Sequence, residues 1–422
     1  MKMNIYFRPL PSLLLAGLMI LLGSSVLNLR AEDNWARFRG PNGTGHSNAK
    51  NIPTKWDSGS IVWKTKLKGV GQSSPVNWGD KLFLTSSSDD GRERYVYCVN
   101  AKGGKILWQK TIPCENPEKN HKMNSWATPS CVTDGERVIA FFGPAGLHCF
   151  DLGGKEMWSQ DMGDFPGNWG VAASPVIFEN LVIQNTDCTG PSVLVALDKN
   201  TGKQVWKVKR EDKPRGGWST PILIDSGKRA ELVLNGEFGV RAYDPKTGKE
   251  LWFCKSFNGR GAPVPDFANG LVYTVNGKPG DTYAVEPGGS GDVTDSKMKW
   301  HAKRPRGRDL PSPSVVGDYL VVVNMLGEVT CYDAKTGETV SSQKLIEKGG
   351  HFAAAPLEVN GLLYIQSEDG GETFVIKPGK KIEIVSKNSL GADKKEIFRA
   401  TLAPIGDRIY ARSHTTLYSI GN

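Results

Sequence analysis

Short apolar stretches of strand length recur along this chain, each cut by a tight polar turn. The clearest copy is Val195-Ala-Leu-Asp-Lys-Asn-Thr-Gly-Lys-Gln-Val-Trp206, and Arg241-Ala-Tyr-Asp-Pro-Lys-Thr-Gly-Lys-Glu-Leu-Trp252 repeats it. Weaker copies end at Trp108 and Trp158, and Cys331 to Gly337 reads CYDAKTG. Each copy is an apolar strand, a turn built on Asp or Asn and Gly, and a second strand. Gly accepts positive φ at the turn, and Asp or Asn bonds its own backbone. The Trp that follows is expected to cover the edge of the next strand.

A second marker precedes each copy. A small or apolar residue and a Pro open an apolar strand at Pro75, Pro129, Pro175, Pro221, Pro265, Pro313, Pro356 and Pro404. A period of this length fits a four-stranded blade, so eight markers predict an all-β fold, an eight-bladed β-propeller. After Pro404 only Arg408–Arg412 and Thr416–Ile420 read as further strands, one short of a blade. Ile61–Leu67 reads as an outer strand with its Trp and no blade of its own. Pairing the two closes the ring and removes an exposed sheet edge. The other arrangement is seven blades with a decorated terminus. Residues 61–422 are therefore assigned to the propeller. Residues 32–60, with Trp35, Phe38 and Trp56 among Gly, Pro and Asn, form an extension packed on it.

Residues 1–31 read as a signal peptide: Lys2 and Arg8, a short apolar run from Leu10 to Leu22, then small residues up to Ala31. The run is short for a bilayer span, and no later stretch is long and apolar enough for one. The mature chain is expected to begin near Glu32 and to be exported, periplasmic or extracellular. Removing Lys2, Arg8 and Arg30 lowers the formal charge from +9 to +6, a mild value that argues for a soluble surface and against nucleic acid as a partner. All seven Cys lie beyond this segment. Cys98, Cys149 and Cys331 share one slot in three repeats, which predicts small buried residues. There is no CxxC, no haem-attachment motif and no zinc spacing.

The DxxTGxxxW copies and the SP or TP strand openings resemble the pyrroloquinoline-quinone-type propeller repeat, from about Ile61 to the C-terminus. Trp35 to Gly45, WARFRGPNGTG, is similar to the start of exported bacterial proteins carrying this repeat. The resemblance implies two branches. Quinoprotein alcohol and sugar dehydrogenases hold the quinone over the central channel with calcium, many above a ring of adjacent cysteines; this chain has no adjacent Cys pair. The propeller lipoprotein of the outer-membrane β-barrel assembly machinery is a scaffold without cofactor; its lipidated Cys has no counterpart here. The repeat is a structural unit and does not by itself assign a function.

Candidate site residues come from position. Arg260, Arg308, His351 and Arg399 each lie five residues before a marker Pro in four consecutive blades. Asn124 is five before Pro129 with Trp126 beside it, Trp169 and Arg215 are six before theirs, and Trp218 is three before Pro221. Propeller geometry places such positions at one mouth of the channel. Guanidinium forks there suit carboxylate, sulfate or phosphate, and Trp faces suit flat rings or sugars. The competing reading is that each Arg only bridges blades. Gly288–Asp295 enlarges blade 5; Asp292 and Asp295 depart from a calcium-loop spacing, and a solvated loop is expected. No catalytic residue and no metal ligand are assigned, because no GxSxG, HExxH or P-loop occurs. The favoured reading is a monomeric, exported binding or scaffolding propeller. Its partner is a protein, an anionic small molecule held at the funnel, or a polysaccharide. The alternative is a pyrroloquinoline quinone-dependent alcohol or sugar dehydrogenase using calcium.

Overall fold

The computed structural model describes Met1 and residues 34–421 except 213, 256–259, 278–279, 305–310 and 348. The expected signal peptide, Met1 apart, lies outside the described residues. The chain is an all-β, eight-bladed propeller: eight sheets follow one another in sequence, and within each the successive strands are neighbours. The inner strands of blades 1 to 8 are Val76–Trp78, Val132–Thr133, Val176–Phe178, Ile222–Asp225, Asp266–Ala268, Ser314–Val316, Leu357–Val359 and Ala403–Ile405. The outer strands of blades 1 to 7 are Ile106–Pro113, Glu156–Gln160, Gln204–Lys209, Glu250–Lys255, Met298–Ala302, Thr339–Lys344 and Glu383–Asn388. In blade 8 the outer position is taken by Ile61–Lys66, antiparallel to Thr416–Ile420.

Apolar side chains of facing sheets fill the space between neighbouring blades. Six separate clusters serve the interfaces from blade 1 to blade 7, and a larger one joins blades 7, 8 and 1. Each blade is thus one half of two cores, so its strands are apolar on both faces. The seven cysteines are all buried and unbridged, and all but Cys114 take small-residue slots in these cores.

In five blades an outer-strand Trp fastens the blade to the next; the outer strands of blades 6 and 7 carry no Trp. Trp63, Trp108, Trp158, Trp206 and Trp300 donate their indole N–H to the carbonyls of Ala101, Leu152, Lys199, Pro245 and Ala334, all in the turn region of the following blade. The ring lies over the turn glycine. A Cβ at Gly202 would come within 2.8 Å of Trp158, and Gly202 has φ of 72° besides. A bulge in the outer-strand register beside each Trp turns the indole toward its neighbour.

Blade 4 departs from this scheme because of the enlarged loop of blade 5, whose Asp292 and Asp295 are exposed to solvent while other residues of the loop pack on blade 4. The tight turn Trp252 would have covered is replaced by the insert 286–297. Trp252 instead donates to Glu231 within its own blade, at 2.7 Å. The insert lays Gly291–Asp292 in parallel against the outer strand of blade 4, buries Val293, and accepts Arg229 at the Gly289 carbonyl, 2.6 Å. It is a packed edge cover. Asp292 caps Thr294 N at 2.9 Å. Among the described residues no three His, Cys, Asp or Glu side chains group as a metal site, and no helix is long and apolar enough to cross a membrane.

The segment from Asn34 to Ser47 crosses one end of the channel. Its backbone exchanges hydrogen bonds with Asn77 in blade 1, Thr133 in blade 2 and Glu358 in blade 7. Arg37 reaches the Pro221 carbonyl of blade 4 at 2.5 Å, and Arg39 that of Pro313 in blade 6 at 3.1 Å. His46 pairs with Asp266 of blade 5 at 2.9 Å. Six blades are thereby tied to one short stretch of chain, with Trp35 and Arg39 buried.

Candidate functional site

Period-two alternation in the segments that descend into the channel builds the site. The residues two before each inner strand are Ser74, Ser130, Ser174, Thr220, Val264, Ser312, Ala355 and Thr401. Five backbone N–H groups of this set donate to the hydroxyl of another blade: Ser74 to Ser130, Ser130 to Ser174, Ser174 to Thr220, Val264 to Ser312, and Thr401 to Ser74, at 2.8–3.0 Å. This is the physical content of the SP and TP openings. Two residues further back stand Gln72, Thr128, Ala172, Trp218, Ala262, Ala353 and Arg399. Apart from Ser130, both sets line a central cavity of about 250 Å³ whose floor includes Phe38 of the crossing segment.

Five of the expected site residues line this cavity: Asn124, Trp169, Trp218, Arg260 and Arg399. The Arg260 guanidinium stands 5.3 Å from the Trp169 ring centre and 5.8 Å from that of Trp218, and the two indoles meet edge to face at 6.2 Å. Arg260 has no carboxylate partner among the described residues, and its charge stands against the two indole faces. A backbone bridge to Gly277 fixes its position. His121 stacks on Trp169 at 4.2 Å. Arg399 is spent differently: its guanidinium pairs with Glu368 and also donates to the Met123 carbonyl. The Met123 carbonyl also accepts Gln72 at 2.9 Å, and Asn124 donates to the Trp169 carbonyl at 2.7 Å. The long connection between blades 1 and 2 is thus held over the mouth.

Three described candidates stand outside the cavity lining. Trp126 donates to the Glu118 carbonyl at 2.8 Å and lies against Arg94, whose buried guanidinium pairs with Glu118. Arg215 is turned to Glu237, and the exposed His351 is 3.5 Å from Asp369. Arg308 lies outside the described residues. The single register expected for Arg260, Arg308, His351 and Arg399 needs correction. Counted from the inner strands, Arg260 and His351 share a level, and Arg399 sits one inward-pointing step deeper. The marker Pro misleads there because Pro404 lies inside its inner strand, whereas Pro265 and Pro356 precede theirs.

The sequence reading missed the hydroxyl set, Gln72, Met123 and Phe38. The SP and TP pairs were a usable signal for the hydroxyls. Among the described residues neither Asp nor Glu lines the cavity. A hard cation such as calcium takes carboxylate oxygens, and the nearby Glu368 already answers Arg399. The donor set therefore fits an anionic or neutral organic ligand and does not fit a quinone bound together with a hard cation.

A family model described as outer membrane protein assembly factor BamB matches residues 52–187, 92–253, 191–321 and 236–377. A polyvinylalcohol dehydrogenase from a Pseudomonas species is 25% identical over 343 residues, covering 63% of this chain and 51% of that protein. The chain therefore spans about half the length of this relative. The assembly factor BamB of Burkholderia pseudomallei is 25% identical over 322 residues, covering 74% of this chain and 76% of its own. The crystal structure of BamB from Moraxella catarrhalis superposes with a TM-score of 0.63 at 17% identity, covering 86% of this chain and 97% of that one, a likeness of fold.

Proposed function

Since the chain belongs to the family described as outer membrane protein assembly factor BamB, we propose that it acts by binding, as an exported propeller that docks a partner and holds a small anionic ligand at its funnel. The observation that carries this is Arg260, a cation on two Trp faces at the mouth of a cavity whose described lining holds no carboxylate. A planar aromatic acid suits it: the ring adds to the indole surfaces while the acid takes the guanidinium. Export and a protein partner are supported by the assembly-factor relatives. A second reading, a quinone-dependent dehydrogenase, is supported by the likeness to polyvinylalcohol dehydrogenase and opposed by the donor set.

The test uses the purified chain and 2-naphthoate. Trp169 and Trp218 report binding through their fluorescence. Saturable quenching in the wild type, weakened about tenfold or more in Arg260→Gln, is expected, since a charge-assisted contact of this kind is worth about 1.5–3 kcal/mol. An equal affinity in the variant would overturn the reading. Dye reduction by alcohols after adding pyrroloquinoline quinone and calcium would move the assignment to the dehydrogenase.

A further inference from the structure

The floor of the cavity has its own chemistry, distinct from that of the mouth. A hydroxyl has one proton to donate and two lone pairs. In Ser74, Ser174, Thr220 and Ser312 a lone pair is taken by a backbone N–H of another blade. Their protons find no acceptor among the described residues. Thr401 goes further: its N–H serves Ser74, its side-chain hydroxyl has no partner among the described residues, and only 1% of the residue is exposed although it lines the cavity. Five buried O–H groups from blades 8, 1, 3, 4 and 6 therefore face one small space.

Positive charge stands behind them. Arg37 and Arg39 flank Phe38 and end on the carbonyls of Pro221 and Pro313, each the next residue after a floor hydroxyl. Arg412, fully buried, ends on the Ser73 and Thr85 carbonyls beside Ser74. Burial pulls Arg37, Arg39 and Arg412 down to about 10, which leaves all three charged at neutral pH; Asp266 opposes that fall at Arg39. Neither Arg37 nor Arg412 has a carboxylate partner among the described residues, and a buried charge without one favours a nearby anion.

We propose that the cavity floor is an oxyanion site, in which the hydroxyls of Ser74, Ser174, Thr220, Ser312 and Thr401 donate to a carboxylate, sulfate or phosphate group. Five donors with fixed oxygens form a preorganised cup, and the guanidiniums supply the long-range field. The inference rests on the reading of this cavity as a ligand site but uses none of the residues at its mouth. The oxyanion is either a free ion or the far end of an organic ligand that also reaches Arg260.

Two probes separate these sources, each by isothermal titration with the wild type, Arg260→Gln and Thr401→Val. Thr401→Val keeps the volume and the backbone bond to Ser74, and removes one unused O–H. Saturable sulfate binding that survives Arg260→Gln and falls about tenfold in Thr401→Val supports a free ion. If sulfate does not bind, naphthalene-2,6-dicarboxylate must bind at least tenfold more tightly than 2-naphthoate, with that advantage lost in Thr401→Val; this supports the organic ligand. Ser312→Ala replaces Thr401→Val should the latter fail to fold. Neither pattern appearing overturns the floor site, whereas 2-naphthoate binding that ignores Arg260→Gln overturns only the reading of the mouth.

Discussion

Two arginines line the same cavity and are expected to answer substitution in opposite ways. Arg260 is anchored by its backbone and faces indoles, so Arg260→Gln removes a charge without stranding a partner. Among the described residues Arg399 is the one ion-pair partner of the buried Glu368, and it also holds the Met123 carbonyl. Arg399→Gln leaves a carboxylate buried and half answered. A loss of about 2–3 kcal/mol is expected, somewhat below the usual cost of breaking a buried pair because the arginine keeps some solvent contact. Urea unfolding of the two variants measures the contrast. A stability in Arg399→Gln equal to the wild type would mean that Glu368 finds solvent or another donor. In the chain both residues read alike, an Arg five before a Pro; the difference is made by Glu368, which no spacing ties to Arg399.

At the scale of the element, the strands, their turns and the interlocking Trp residues follow from local pattern, and the test of that interlock is a neighbouring pair. Trp206 is buried on the Pro245 turn, and Val205 beside it is 52% exposed on the outer strand. Trp206→Ala opens a cavity between blades 3 and 4 and is expected to cost about 3–5 kcal/mol, Val205→Ala less than about 0.5 kcal/mol. Thermal melts of both decide it; equal shifts would mean that the strand tolerates loss of its Trp. Blade-level structure was legible because each copy of DxxTGxxxW carries its own turn chemistry. The level of each side chain in the channel was not, because it depends on where the inner strand starts. Pro129 precedes Ser130 and Pro404 follows Thr401, so a count from Pro shifts those two blades by one inward-facing step. The pairing of the insert 286–297 with blade 4 was not legible for a related reason: Gly and Asp signal a turn equally well whether or not it also meets a sheet edge.

On the scale of the whole molecule, the ring of blades and the segment crossing it solve one problem. A repeat array whose units touch only their neighbours can open one interface at a time. The stretch from Asn34 to Ser47 has no repeat and little apolar content, so only Trp35 and Phe38 hinted that it packs, and nothing in the chain said where. In place, it links blades 1, 2, 4, 5, 6 and 7 across the axis. Arg39 is the firmest of these ties, fully buried between the Thr44 carbonyl of its own segment and the Pro313 carbonyl of blade 6. Arg39→Ala removes a donor from both carbonyls and leaves a void, at about 3 kcal/mol. The location of the effect matters more than its size. If the segment couples the blades, native-state hydrogen exchange in the wild type shows the inner-strand amides of blades 4 to 7 opening together at the global free energy. In Arg39→Ala those of Ser314–Val316 and Leu357–Val359 exchange earlier, while Val176–Phe178 in blade 3, which the segment does not bond, keeps its wild-type difference from the global value. A uniform acceleration across all eight blades would show that the ring is cooperative without the segment, and that the crossing chain serves only to floor the cavity.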